Sequence, residues 1–177
     1  MAEFPPPALA SAASSIATLL HSRNETISVA ETAAGGLISA ALLAQPGASR
    51  IFKGGATLYT LESRIAFAGW TKANIEHYTG PNPDLVEGLA SHVRGTLGST
   101  YCVGESGTAG PSAPRAANNG KPGYVALAVV SETRSLKRDL DTGLGGDRAG
   151  NMVAFATEAL KLVEEFINTS EGQGGKI

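Results

Sequence analysis

The chain has 177 residues, 42% of them hydrophobic, and a formal net charge of −2. That length supports one sizeable core and argues against a second domain. The slight negative charge, with Lys and Arg scattered rather than clustered, disfavours a broad polyanion-binding surface, so no nucleic-acid partner is expected.

The single Cys102 has no partner for an internal disulfide, and no Cys/His spacing resembles a zinc site. No stretch of about eighteen apolar residues is free of charge, and the N-terminus lacks the pattern of an export signal. A reducing, cytoplasmic setting without membrane insertion is the expectation.

In chain order, Leu9, Ala13, Ile16 and Leu20 recur at helical spacing, which predicts an amphipathic helix ending near Asn24. Thr26–Ala30 is short and β-branched and predicts a strand, followed by the small-residue loop Glu31–Gly36 and a buried helix stopped by Pro46-Gly47. Residues 51–60 predict a second strand with a bulge or close approach at Gly54-Gly55, then a short helix from Leu61. Asn82-Pro83-Asp84 predicts a helix start: a cap, a proline at the first position and an acid complementing the dipole. Leu85, Leu89 and Val93 would form its buried face.

Tyr101–Gly104 predicts a strand entering Gly107–Pro111, and the polar stretch Ser112–Pro122 an exposed loop. Tyr124–Val130 is apolar throughout, as a central strand is, and Arg134–Leu140 alternates like its hairpin partner. Met152, Ala156, Ala159, Val163 and Ile167 predict a long final helix, with residues 169–177 as a flexible tail. The sum is one α/β domain, a three-layer α/β/α sandwich with a mixed, mostly parallel sheet and an ordered core over about 8–168.

Ligands of such sheets sit beyond the carboxyl ends of strands, where Glu31–Gly36, Gly107–Pro111 and Gly143–Arg148 compete for the position. The first offers a carboxylate, a hydroxyl and two glycines before a helix, a composition able to hold an anion or oxyanion. A turn needed only for tight strand-to-helix packing would look the same. Arg148 opens a helix, where the dipole disfavours a cation by roughly 0.3–1 kcal/mol, so either an anion offsets it or its side chain reaches into water. His21, His77 and His92 lack a third group at catalytic spacing. Cys102 reads as an inert buried thiol and Trp70 as packing.

Five blocks carry a resemblance: AETAAGG at Ala30–Gly36, FKGGATLYTLESR at Phe52–Arg64, SGTAGP at Ser106–Pro111, KPG at Lys121–Gly123 and GDR at Gly146–Arg148. In order and spacing the chain resembles the CinA C-terminal family, which includes bacterial nicotinamide mononucleotide deamidases. The resemblance implies cofactor-free hydrolysis of the nicotinamide amide, with no metal, on a homodimer. The family's first block resembles A-E-S-C-T-G-G and its second Y-S-N-E-A-K. The proposed nucleophilic serine therefore falls on Thr32 and the assisting lysine on Arg64, while Tyr59 and Glu62 match unchanged.

Thr108 falls near the implied substrate amide and Arg148 at a position suited to a phosphate or carboxyl group. Ala33, Gly35, Gly36, Glu62, Gly107, Thr108, Ala109, Gly110 and Arg148 are the implied binding residues. Threonine retains a nucleophilic hydroxyl, but guanidinium keeps its proton, so Arg64 suits charge stabilisation rather than base catalysis. A base must then come from Glu31, Glu62, Tyr59 or a histidine, with Glu31 first by proximity. The alternative is a binding module in which Arg64 and Arg148 hold an anionic, nucleotide-like ligand without turnover.

Overall fold

The computed structural model describes residues 4–113 and 120–171. Its elements are α1 (Pro7–Arg23), β1 (Ile27–Glu31), α2 (Leu37–Leu43), β2 (Phe52–Thr57), α3 (Leu61–Phe67), α4 (Lys72–Glu76), α5 (Pro83–Leu97), β3 (Tyr101–Gly107), β4 (Tyr124–Val130), β5 (Ser135–Asp141) and α6 (Arg148–Glu171). The strands form one sheet in the order β2-β1-β3-β4-β5. β1 pairs in parallel with β2 and β3, while β4 is antiparallel to both β3 and β5. Four strands thus share a direction and β4 opposes them.

Alternation along the strands sorts side chains between two layers. Ile27, Val29, Tyr101 and Val103 pack with α1, α2 and α6 on one face, whereas Ala30 and Cys102 pack with α5 on the other. The completed sandwich is the three-layer architecture expected from the sequence. β5 closes one edge and alternates half-buried Leu136 and Leu140 with charged residues. Its Lys137 reaches Asp84 and Glu87 of α5 at 2.8 and 2.9 Å. Such exposed pairs are screened by solvent and add little stability, but they discourage edge pairing.

Local chemistry explains most boundaries. Pro7 opens α1, and Asn24 closes it in the left-handed region. The Asn82 side chain accepts the Leu85 amide at 2.9 Å and caps α5. The register between β1 and β2 shifts between Ile27 and Ser28, so an extra residue is accommodated ahead of Gly54, as the paired glycines predicted.

Four boundaries differ from the sequence-based expectation. α4 was not expected, because its five residues show no apolar periodicity; reciprocal capping by Thr71 and Asn74 supports it. α6 continues through Glu171, and residues 172–177 lie outside the described chain, as does part of the predicted loop, 114–119. β1 includes Glu31, and β3 runs three residues past Gly104 to Gly107. These last two shifts determine the site.

Gly104 is where α5 lies against β3. A Cβ there would stand 2.7 Å from Val86 Cγ1, 2.8 Å from the Val86 carbonyl oxygen and 3.1 Å from Ala90 Cβ. Gly104→Ala is therefore expected to destabilise the domain by roughly 1–3 kcal/mol, read as a lower urea midpoint at an unchanged slope.

Candidate functional site

The chain leaves β1 for β2 on one side and is joined by β3 on the other. The carboxyl ends of β1 and β3 therefore flank the point where the strand order reverses, the usual ligand position in an open α/β sheet. A cleft of about 120 Å³ lies there, lined by Ala33, Tyr59, Gly107, Thr108, Ala109, Gly110, Ser112 and Arg148. It gathers seven of the residues implied by the sequence and adds Ser112. Thr32 adjoins the wall residue Ala33 but is only 3% exposed. Glu31 and Arg64 are buried without lining the cleft; Gly35 and Gly36 lead into α2 with positive φ, and Glu62 is exposed on α3.

An open groove of about 730 Å³ occupies the opposite end of the sheet, beside Arg94, Ser99, Glu132 and Arg134. It is larger, yet it lies away from the convergent strand ends and from every block of the resemblance. The smaller cleft is the better candidate on chemistry.

Glu31 has a different place from the one its sequence position implied. Its carboxylate accepts the Ile38 and Ser39 amides, both at 3.1 Å, and the Ser39 hydroxyl at 2.7 Å. The helix terminus expected to hold a ligand's anion is filled by the chain's own carboxylate. The reason is geometric: as the last residue of β1, Glu31 points toward the α2 layer rather than into the loop. Its hydrogen bonds go to α2 and not to the Thr32 hydroxyl.

Thr32 is held instead by two consecutive residues of β3. Its hydroxyl donates to Ser106 Oγ at 3.1 Å, and its amide donates to Glu105 Oε2 at 3.0 Å. The same oxygen accepts the Ala34 amide at 2.9 Å. Glu105 is fully buried, and desolvation pushes its carboxyl up to about 7. The Ala34 and Thr32 amides oppose that rise, the neighbouring Glu31 charge adds to it, and the Arg64 charge opposes it. The second oxygen, Oε1, is buried without a hydrogen-bond partner.

Arg64 projects from α3 into an aromatic slot. Its guanidinium carbon lies 5.0 Å from the Trp70 ring centre and 5.1 Å from that of Tyr78. Nε donates to the Leu58 carbonyl at 3.3 Å, while Nη1 is buried without a partner. Trp70, expected only to pack, thus holds a cation. The slot fits a flat guanidinium better than the flexible point charge of lysine.

Arg148 is exposed and reaches across the mouth of the cleft. It donates to the Gly110 carbonyl at 2.8 Å and to the Tyr59 hydroxyl at 3.1 Å, joining α6 to the segments after β2 and β3. Asn151, one turn further along α6, donates to the Ala109 and Gly145 carbonyls at 2.9 and 2.8 Å and fixes both loops. Among the described residues, no group of three His, Cys, Asp or Glu side chains is arranged to hold a metal ion. Cys102 is buried in β3, and desolvation pushes its thiol up to about 12, so it is inert as a nucleophile.

Glu105, Ser106 and Asn151 are the residues that sequence reasoning missed as part of this arrangement. A signal existed for Glu105, a lone acid within the apolar run that begins at Tyr101. Asn151 likewise stands in a first helical turn immediately before an apolar face begins.

The fold places the chain in a recognisable class. It superposes on the competence/damage inducible protein CihA of Agrobacterium tumefaciens with a TM-score of 0.84 at 23% identity, covering 95% of this chain and 99% of that one. A competence or damage-inducible protein from Enterobacter asburiae gives 0.81 at 19% identity, over 90% and 98% of the two chains.

The model of the CinA C-terminal domain matches residues 9–167, and the chain belongs to that family. A CinA-like protein of Acidobacterium capsulatum is 33% identical over 147 residues, covering 81% of this chain and 34% of the relative. One from Fervidobacterium nodosum is 37% identical over 114 residues, 64% of this chain and 27% of the relative. The chain thus spans about a third or less of the length of these curated relatives. No helix among the described residues is long and apolar enough to cross a membrane.

Proposed function

We propose that this domain hydrolyses the carboxamide of nicotinamide mononucleotide, or of a related small anionic amide, releasing ammonia. The observation that carries the proposal is the buried Thr32 hydroxyl, hydrogen-bonded to Ser106 beside a cleft containing Thr108 and Arg148. In the proposed reaction Thr32 Oγ1 bonds to the amide carbon as its proton passes to Ser106 Oγ and the Ser106 proton passes on to the amide nitrogen. The C–N bond then breaks, the nitrogen leaves as ammonia, and water hydrolyses the resulting ester to return the hydroxyl. Arg64 supplies a fixed positive charge near Glu105, and Arg148 binds the substrate's phosphate or carboxyl group. The cytoplasmic setting expected from the composition, and the homodimeric and cofactor-free character implied by the family resemblance, belong to the same reading.

Ligand pockets typically enclose about 300 Å³ or more, so the 120 Å³ cleft must open to admit a nucleotide and expose Thr32. The direct test is ammonia release from purified protein supplied with nicotinamide mononucleotide. No release above that of a Thr32→Ala control overturns the proposal. Arg148→Ala is expected to raise KM by roughly tenfold to a hundredfold with a smaller change in kcat, because it removes a charge-assisted contact made before the reaction.

A second reading is a binding module without turnover, favoured by the burial of Thr32 and by a cation, Arg64, where a proton acceptor is needed. It predicts a ligand-dependent rise in Tm with the same mononucleotide and no ammonia. An unchanged Tm at millimolar ligand overturns that alternative.

A further inference from the structure

Consecutive strand residues point to opposite faces of a sheet, and Glu105 and Ser106 are consecutive on β3. Glu105 lies on the face of Tyr101 and Val103, toward α2 and α6; Ser106 lies on the face of Cys102, toward α5. Both converge on Thr32, one through its amide and the other through its hydroxyl. The reacting group proposed above is therefore held at two points from two layers. Glu105 uses one oxygen for two amides, Thr32 and Ala34, and so spans the wall residue Ala33.

We propose that Glu105 is a positioning residue: by fixing the amides on either side of Ala33 it sets the direction of the Thr32 hydroxyl toward Ser106. This rests on Thr32 being the reacting hydroxyl. Two further observations support it. A fully buried acid on a central strand is expensive, and two converging amides offset part of that cost. Glu105 Oε1 and Arg64 Nη1 are both buried without hydrogen-bond partners, so long-range charge rather than a direct bond links the acid to α3.

The charged groups acting on Glu105 are Glu31 of β1 and Arg64 of α3. β4 presents Leu127 opposite it, α2 has no ionisable residue, and α6 packs on this face through Phe155 and Ala156. Protonation of Glu105 weakens both amide contacts without removing the acceptor, which ties the direction of the hydroxyl to pH.

The test compares Glu105→Leu, which removes the acceptor, with Glu105→Gln, which retains a neutral one. Glu105→Leu is expected to lower kcat about a hundredfold with KM changed less than about threefold, and Glu105→Gln to recover most of that loss. The wild-type kcat should also carry a step near neutral pH that Glu105→Gln lacks. Equal losses in the two variants, or a loss confined to KM, overturn the proposal.

Amide NMR provides a readout independent of turnover and of the folding of the leucine variant. The Thr32 and Ala34 amide resonances of the wild type should move together with a midpoint near pH 7, and should stay still in Glu105→Gln. Titration of Glu105 that moves neither amide resonance overturns the clamp itself. Absence of ammonia release with the titration present overturns only the hydrolase reading.

Discussion

Thr32→Ala is expected to lower ammonia release from nicotinamide mononucleotide by about three orders of magnitude or more, with the protein still folded. If Thr32 forms the bond to the amide carbon, the variant retains only binding and charge stabilisation, which in comparable hydrolases leave a small residue of the rate. The folding cost is smaller by comparison. One buried hydroxyl contact, to Ser106, contributes about 1 kcal/mol, while the two amide contacts to Glu105 remain.

Thr32→Ser supplies the contrast. Serine retains the contact to Ser106 and removes the methyl group that crowds the attacking oxygen, so its rate should equal or exceed that of the wild type. Stopped-assay ammonia measurements together with Tm values separate a lost nucleophile from a lost fold. A Thr32→Ala enzyme that retains a tenth of the wild-type kcat would assign the chemistry to another group.

The second large effect concerns stability. Glu105 ionises near its ordinary value of 4.5 in the unfolded chain but near 7 in the folded one, chiefly because burial disfavours its charge. Between those values the folded state binds more protons than the unfolded state, so this group's contribution falls as pH rises. Its stabilisation is complete below about 4.5 and lost above about 7. The difference amounts to roughly 3 kcal/mol. Glu105→Gln has no such group, so its stability relative to the wild type should rise by about that amount between pH 4.5 and pH 8. Parallel urea melts across this range provide the measurement, and a constant difference between the two proteins would contradict the assignment.

Much of this was legible before the structure, and the missing part has a physical cause. The helical spacing of Leu9, Ala13 and Ile16, the apolar run at Tyr124 and the cap at Asn82 are local signals, and each produced the element it predicted. Five blocks in register likewise pointed to the strand ends where Ala33, Tyr59, Thr108 and Arg148 meet. The support beneath Thr32 was hidden, because it depends on where strands stop. Ending β1 at Ala30 left Glu31 in the loop as a candidate base; one more strand residue turns its carboxylate toward α2.

Glu105-Ser106-Gly107 resembles a turn by composition, and only the amides of a segment about seventy residues away make a buried acid tolerable there. Arg64 poses the same difficulty. Its substitution for lysine was visible, whereas the rings of Trp70 and Tyr78 around it were not. These are long-range partnerships between polar groups, and neither periodicity nor propensity records them.

The opposed directions of Glu105 and Ser106 also determine which sequence changes the site tolerates. A single residue inserted into β3 ahead of them would exchange their faces, turning the carboxyl toward α5 and the hydroxyl toward α2. Thr32 would then lose both anchors although no residue had been deleted. The site therefore has parity: within β3 an odd shift and an even shift have opposite consequences.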